Sequence, residues 1–300
     1  MKKIKTAIIG YGNIGKGVYE AILASPDMEI AGVVLRDVTT AKIKGVPECL
    51  KVAHKVADLR NVDVALLCIP SRSVENTATE LLSHGIHTVD SYDIHNDIYD
   101  VQKRLRVVGK AHNAVSIISA GWDPGTDSMI RGILEAAAPK GLTYTNFGPG
   151  MSMGHTVVAK SKAGVKNALS VTIPTGTGLH RRMVYVEPQL SADFKDISTA
   201  IKSDPYFEND DTHVILSSDI EMLQDKGHGV NLIRKGVSGT TDNQIFEFNM
   251  KINNPALTAQ IMVCAARAAT RQQAGCYTLL EIPIIDMLSG EREGIIRRLV

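Results

Sequence analysis

The chain has 300 residues, 33 Lys and Arg against 32 Asp and Glu, a formal net charge of +1, and 44% hydrophobic residues. At roughly 150 residues per domain this is a folded chain of about two domains, and disorder is excluded. The basic residues are scattered, so a nucleic acid or an anionic membrane finds no electrostatic footprint; small molecules or further copies of the chain are the expected partners.

Up to about residue 120, short β-branched runs alternate with helical patterns. Residues 5–10, 29–35, 62–69, 86–90 and 115–120 read as strands, most of them apolar enough to be buried on both faces, while 15–24, 73–83 and 94–111 carry helical spacing. Crossovers of this length build a right-handed, parallel, doubly wound α/β sheet. Past Gly121 the rhythm changes to a helix over 126–137 and then to strands with alternating faces, clearest in Ile245-Phe246-Glu247-Phe248-Asn249-Met250-Lys251-Ile252. That pattern predicts a one-sided antiparallel or mixed sheet, giving an α+β second region. A long apolar helix is predicted from Pro255 to about Gln273, with Asn254 as its cap and Pro255 in the first turn. The predicted division is 1–120, 121–285, and a tail of 286–300 that packs back on the other two.

No apolar run approaches the roughly 20 residues of a bilayer span, and the opening Met1-Lys2-Lys3-Ile4-Lys5 leads into an apolar stretch cut short at Gly10. Cys49, Cys68, Cys264 and Cys276 are far apart and form no CxxC pair. Reduced thiols in a cytoplasmic chain are expected, with neither disulfides nor a metal site.

Gly10-Tyr11-Gly12-Asn13-Ile14-Gly15 follows a predicted strand and opens a predicted helix, the context in which GxGxxG marks a dinucleotide site. The pyrophosphate is expected on the helix N-terminus, where unpaired N–H groups favour an anion, and residues 1–120 are expected to form a Rossmann domain. At the end of the second strand an acid reads a free ribose 2′-hydroxyl and an Arg reads a 2′-phosphate; Arg36 and Asp37 offer both. Cys68, Pro70, Ser71 and Arg72 lie at or just past the end of the predicted strand 62–69 and are assigned to the cofactor, Arg72 as a second cation near the adenosine end. Asp90, Asp93 and Asp123 sit at or just past the ends of the predicted strands 86–90 and 115–120, where ligands of open α/β sheets lie. Several acids there suit a substrate with an ammonium group, although Asp90 reads as structural. Trp122 is the only tryptophan and stands beside Asp123.

Farther on, Thr172, His180-Arg181-Arg182, His228 and Asn254 lie on or beside the antiparallel strands and together suit a carboxylate pocket. Each alone is more often a surface residue. The glycine- and methionine-containing stretch Gly148-Pro149-Gly150-Met151-Ser152-Met153-Gly154-His155 suits a loop whose backbone approaches a substrate.

These motifs, with Val89-Asp90-Ser91-Tyr92-Asp93, Ser119-Ala120-Gly121-Trp122-Asp123-Pro124-Gly125 and Asn253-Asn254-Pro255, resemble those of the meso-diaminopimelate dehydrogenase family over essentially the whole chain. The resemblance implies NADP-dependent oxidative deamination of the D-centre of meso-2,6-diaminopimelate by a homodimer whose second region binds substrate and dimerises. It implies that Asp93, Asp123 and Trp122 hold the D-centre, with Asp97 nearby, and that Thr172, Arg182, His228 and Asn254 hold the L-centre. Gly150, Met151, Ser152 and Met153 would line the pocket between. Arg36-Asp37 stands where many members carry two arginines, which leaves NAD admissible beside NADP. The short stretch Pro174-Thr175-Gly176-Thr177-Gly178 looks like the branch that also aminates other 2-oxo acids to D-amino acids.

Two other readings are weighed against this one. A dihydrodipicolinate-reductase or semialdehyde-dehydrogenase type needs a Lys/His-rich signature or a nucleophilic cysteine, and neither is seen. A non-catalytic dinucleotide sensor would keep Gly10, Gly12 and Gly15 but has no reason to keep Asp93, Asp123, Trp122 and Arg182 together.

Overall fold

A computed structural model describes residues 3–36, 45–176, 178–223 and 227–300, with Met153 and Gly227 described by backbone alone. Asp37, one of the expected ribose readers, lies outside the described residues.

The apolar runs of the first third become β1 (Ile4–Ile9), β2 (Met28–Val34), β3 (Val52–Ala53), β4 (Val64–Leu67), β5 (His87–Asp90) and β6 (Val115–Ile117). Between them run α1 (Asn13–Leu23), α2 (Ser71–Ser83) and α3 (Ile98–Ala111). All the pairings are parallel. Period-two alternation sorts the strand side chains: Ile8, Leu66 and Val89 pack with Val18 and Ile22 of α1, whereas Ala7, Ile9 and Leu67 pack with Val74 of α2 and Leu105 of α3. On α2 the buried residues Val74, Ala78, Leu81 and Leu82 fall at i, i+4, i+7 and i+8, one helical stripe facing the sheet. β6 is shorter than the apolar run that predicts it because Ser119 turns the chain with φ 59°. α4 (Thr126–Ala137) follows a tight loop in which Gly125, at φ 141°, could not carry a Cβ, which would lie 2.1 Å from the Gly121 carbonyl oxygen.

The next elements are β7 (Lys140–Phe147), β8 (Gly150–Met151), α5 (Met153–Lys160), β9 (Val165–Gly176), β10 (Leu179–Pro188), α6 (Phe194–Lys202), β11 (Asp211–Leu216), β12 (Gly227–Ser238) and β13 (Thr241–Asn253). They form two sheets, ordered β11-β10-β9-β8 and β13-β12-β7. The second is antiparallel and the first is mixed, because β10 and β11 run parallel. Val184, Val186, Ile197, Ile201 and Phe207 bury α5 and α6 against the first sheet. β13 alternates exposed and half-buried residues along its length, as its sequence predicts.

The chain ends with α7 (Asn254–Ala269), β14 (Gly275–Tyr277), α8 (Ile284–Met287) and α9 (Arg292–Leu299). α7 stops four residues short of Gln273, and among the described residues no helix is long and apolar enough to cross a membrane. β14 pairs in parallel with β6, completing the order β14-β6-β5-β4-β1-β2-β3. This is the dinucleotide-fold order 3-2-1-4-5-6 with one strand added.

Contacts therefore divide the chain differently from the predicted breaks at 120 and 285. One unit is Met1–Gly132 with Pro255–Val300, and the other is Ile133–Asn254. The reason is physical: Met262, Val263 and Ala266 of α7 fill the same core as Ile8 and Leu66, and β14 is a strand of the first sheet. The tail of 286–300 packs with that first unit.

Candidate active site

At the carboxyl ends of β1, β2 and β4 lies a cleft of about 760 Å³, bordered by Gly10, Tyr11, Gly12 and Leu35. A Cβ on Gly10 would lie 2.5 Å from the Cys68 carbonyl oxygen, and one on Gly15 would lie 2.4 Å from that of Gly10. These two glycines thus let the turn close and α1 seat against the strand. A Cβ on Gly12 would meet nothing within 4 Å. That open space is where a pyrophosphate fits, and α1 begins there with no side-chain cap and no acid in its first turn, its N–H groups available to an anion. The residues present fit a dinucleotide.

Arg36, Cys68, Pro70 and Arg72 line the same cleft. Burial pushes the Cys68 thiol up to about 12, so it serves as a neutral wall. Asn13, Ile14 and Gly15 form the first turn of α1. Ser71 instead turns to the acid region, its Oγ donating to Asp93 Oδ1 at 2.6 Å while the Asp93 N–H returns a 3.3 Å bond to it. The structure adds His54 and Lys55, which follow β3 and line the cleft with Arg36. No local motif marks them, because β3 is only two residues long.

The acids of the first unit divide by environment. Asp90 is fully buried and ties the end of β5 to the end of β6, its Oδ1 accepting from the N–H groups of Tyr92 (2.9 Å) and Ser119 (3.1 Å). Burial pushes its carboxyl up to about 7. Asp93 is exposed beyond β5, and Asp97 is likewise exposed, in the turn that leads into α3. Trp122 is buried, its carbonyl accepting from the Asp127 N–H. Asp123 has a side chain 18% exposed, 3.8 Å from Arg131 Nη2. Asp127 is completely buried with the same Nη2 at 2.7 Å. Sequence reasoning missed Asp127 and Arg131, which stand four residues apart on α4.

In the second unit the register sets Gly150 of β8 opposite Thr172 of β9, and Thr172 opposite Arg182 of β10. These three expected residues stand in one row across the sheet. Arg182 Nη1 donates to Thr172 Oγ1, and its Nε donates to Asp210 Oδ2 at 2.6 Å. Its Nη2 has no partner among the described residues and is free for a carboxylate. Asp210, which precedes β11, is another residue the sequence did not reveal.

Met151 continues β8, and Ser152 follows it with its Oγ 2.8 Å from His155 Nδ1. Burial, and after it the Arg182 charge, pushes His155 down to about 4, so it is neutral at pH 7. Met153 opens α5. His228, the second residue of β12, is buried, its Nδ1 accepting from the Gly229 N–H at 2.9 Å, which places its ring proton on Nε2. The Gly229 carbonyl in turn accepts from the Gly148 N–H at 2.7 Å, so β12 lies beside the loop that leads to Gly150. Asn254 is the first residue of α7.

Residues 4–118 match the model of an oxidoreductase family with an NAD-binding Rossmann fold, and residues 121–181 match the diaminopimelic acid dehydrogenase C-terminal domain. The meso-diaminopimelate D-dehydrogenase of Bacteroides fragilis is 60% identical, with the whole of both chains covered. The chain belongs to the meso-diaminopimelate D-dehydrogenase family. Among solved structures of similar proteins, the C. glutamicum DAP dehydrogenase in complex with DAP superposes with a TM-score of 0.88 at 29% identity over the full length of both chains. An engineered D-amino acid dehydrogenase bound to NADP+ superposes with a TM-score of 0.82 at 27% identity, again over the full length of both. Membership makes this family chain an oxidoreductase acting on a CH–NH2 donor with a pyridine nucleotide.

Proposed function

We propose that the chain oxidises the D-centre of meso-2,6-diaminopimelate with NADP, giving L-2-amino-6-oxopimelate, ammonia and NADPH. The observation that carries this reading is the pairing of full-length 60% identity to a meso-diaminopimelate D-dehydrogenase with acids at Asp93 and Asp123 beyond the strand ends. A bound nicotinamide supplies the acceptor for a hydride from the substrate α-carbon. That transfer requires the substrate nitrogen to offer its lone pair, so its ammonium must first lose a proton. Asp93, fixed by Ser71, and Asp123 orient the ammonium and take up or relay that proton. They then orient the water that adds to the imine. Trp122 walls the same end.

Thr172, Arg182, His228 and Asn254 are assigned to the L-centre. The unshared Nη2 of Arg182 offers a charge-assisted bond to its carboxylate, and His228 is buried near the start of β12. Gly150, Met151, Ser152 and Met153 are assigned to the pocket wall. Holding the substrate by groups at both centres makes orientation the main catalytic contribution.

NADP is preferred in this reading because Arg36, Lys55 and Arg72 line one cleft, three cations suited to a 2′-phosphate. The functional unit is read as a homodimer, supported by β13, an edge strand whose apolar residues Phe246, Phe248, Met250 and Ile252 are only partly buried. The deciding experiment follows NADPH formation with meso-diaminopimelate as the only other addition, with the LL-isomer and NAD as comparisons. Activity with the meso-isomer and NADP, and little with the LL-isomer, is expected. No NADPH from the meso-isomer overturns the reading.

A further inference from the structure

Asp127 is completely buried, carries a full carboxyl group and takes part in no step described above. Asp127 lies in the first turn of α4 with Arg131 one turn farther on, and Asp123 stands in the loop that precedes the helix. A single nitrogen, Arg131 Nη2, lies 2.7 Å from Asp127 Oδ2 and 3.8 Å from Asp123 Oδ1. Apart from this ion pair, neither oxygen of the buried Asp127 carboxyl has a hydrogen-bond partner among the described residues. One guanidinium cannot balance two adjacent carboxylates of which one is fully buried. The stable arrangement keeps a proton between them.

We propose that Asp127 is a positioning residue for Asp123: the pair shares one proton, held by the buried Asp127 carboxyl and bridged by Arg131, and the bond donated to Asp123 fixes that carboxylate in one rotamer facing the substrate ammonium. The proposal rests on the reading of Asp123 as an ammonium-binding acid. The charged groups acting on Asp127 are Asp123 and Arg131. Burial first, and the Asp123 charge second, push Asp127 up to about 8, so the acid is protonated at neutral pH and a second negative charge appears only in alkaline solution. A merely structural acid has no need of a proton, and an apolar side chain would fill the same space without the cost of a buried carboxyl.

The test compares Asp127→Asn, which still donates but cannot ionise, with Asp127→Val, which fills the space and donates nothing. Asp127→Asn is expected to keep kcat/KM for meso-diaminopimelate within about threefold at neutral pH and to remove an inflection near pH 8, while Asp127→Val loses about 100-fold at every pH, the scale of a misplaced reacting group. Equal losses in the two variants, or an inflection that persists in Asp127→Asn, overturn the proposal. A measurement without substrate separates this result from the fate of the functional reading. In protein labelled with 13C at aspartate carboxyls, one carboxyl is expected to titrate near pH 8, to vanish in Asp127→Asn and to move to lower pH in Asp123→Asn. If meso-diaminopimelate is not oxidised but this titration is seen, the functional reading fails and proton sharing stands. If no carboxyl that is lost in Asp127→Asn titrates near pH 8, proton sharing fails whatever the activity.

Discussion

Arg182 shows how a single side chain is prepared for its ligand. Thr172 and Asp210 occupy Nη1 and Nε, which fixes the plane of the guanidinium and leaves Nη2 as the free edge. Arg182→Ala is expected to lower kcat/KM for meso-diaminopimelate about 100-fold, the scale of truncating a desolvated charge pair, and to affect a short monocarboxylic D-amino acid much less. Equal losses on the two substrates in steady-state assays would remove the assignment to the L-centre. Lys55→Ala is expected to raise KM for NADP about tenfold with little change for NAD, because a charge-assisted bond to a 2′-phosphate is lost. Thr172 and Arg182 were singled out as polar residues on or beside the antiparallel strands, and their assignment to one centre came from the family resemblance. Asp210, Lys55 and Asp127 were not, because nothing local marks a carboxylate or an ammonium as aimed at a distant group.

At the scale of elements, the buried strands and their helices were legible because long apolar runs with period two or 3.6 leave little choice of structure. β3 and β14 were not, because two or three residues carry no period, and their place in the sheet is decided by the neighbouring strand edge. α7 was predicted as a helix, but nothing in its spacing revealed which core it fills. Its buried Arg267 explains part of that choice. The guanidinium donates to Asp27 from Nε at 2.5 Å and from Nη2 at 2.8 Å, and to the Met287 carbonyl at 2.8 Å, joining three separate segments of the first unit. Asp27→Ala is expected to cost about 3–5 kcal/mol in denaturant unfolding, because it strands a charge that cannot reach water. The bond from Arg267 also holds the Asp27 carboxyl below its ordinary value. The native state therefore resists protonation there: the contribution is present above pH about 4 and is lost as the pH falls through the lowered folded value. A wild-type and Asp27→Asn pair whose stabilities fall in parallel in acid would contradict this.

For the whole molecule, the GxGxxG turn and the acid-bearing strand ends foretold a dinucleotide fold. The return of residues 255–300 to the first unit was beyond sequence pattern, since it depends on which sheet edge is unoccupied. The half-covered apolar row on β13 carries a prediction at this scale. In light scattering the protein should have twice the chain mass of 32.4 kDa, and Phe248→Lys should shift it toward the monomer with about tenfold or greater weakening, as a charge is forced into an apolar contact.

β14 also has a consequence for biosynthesis. The ribosome releases Val115–Ile117 long before Gly275–Tyr277, so the nascent first unit carries an incomplete sheet with one raw edge while more than a hundred further residues are translated. A message truncated after codon 254 would yield a polypeptide with that edge permanently bare and the core normally filled by Met262 and Val263 hollow, a ready substrate for chaperones and proteases.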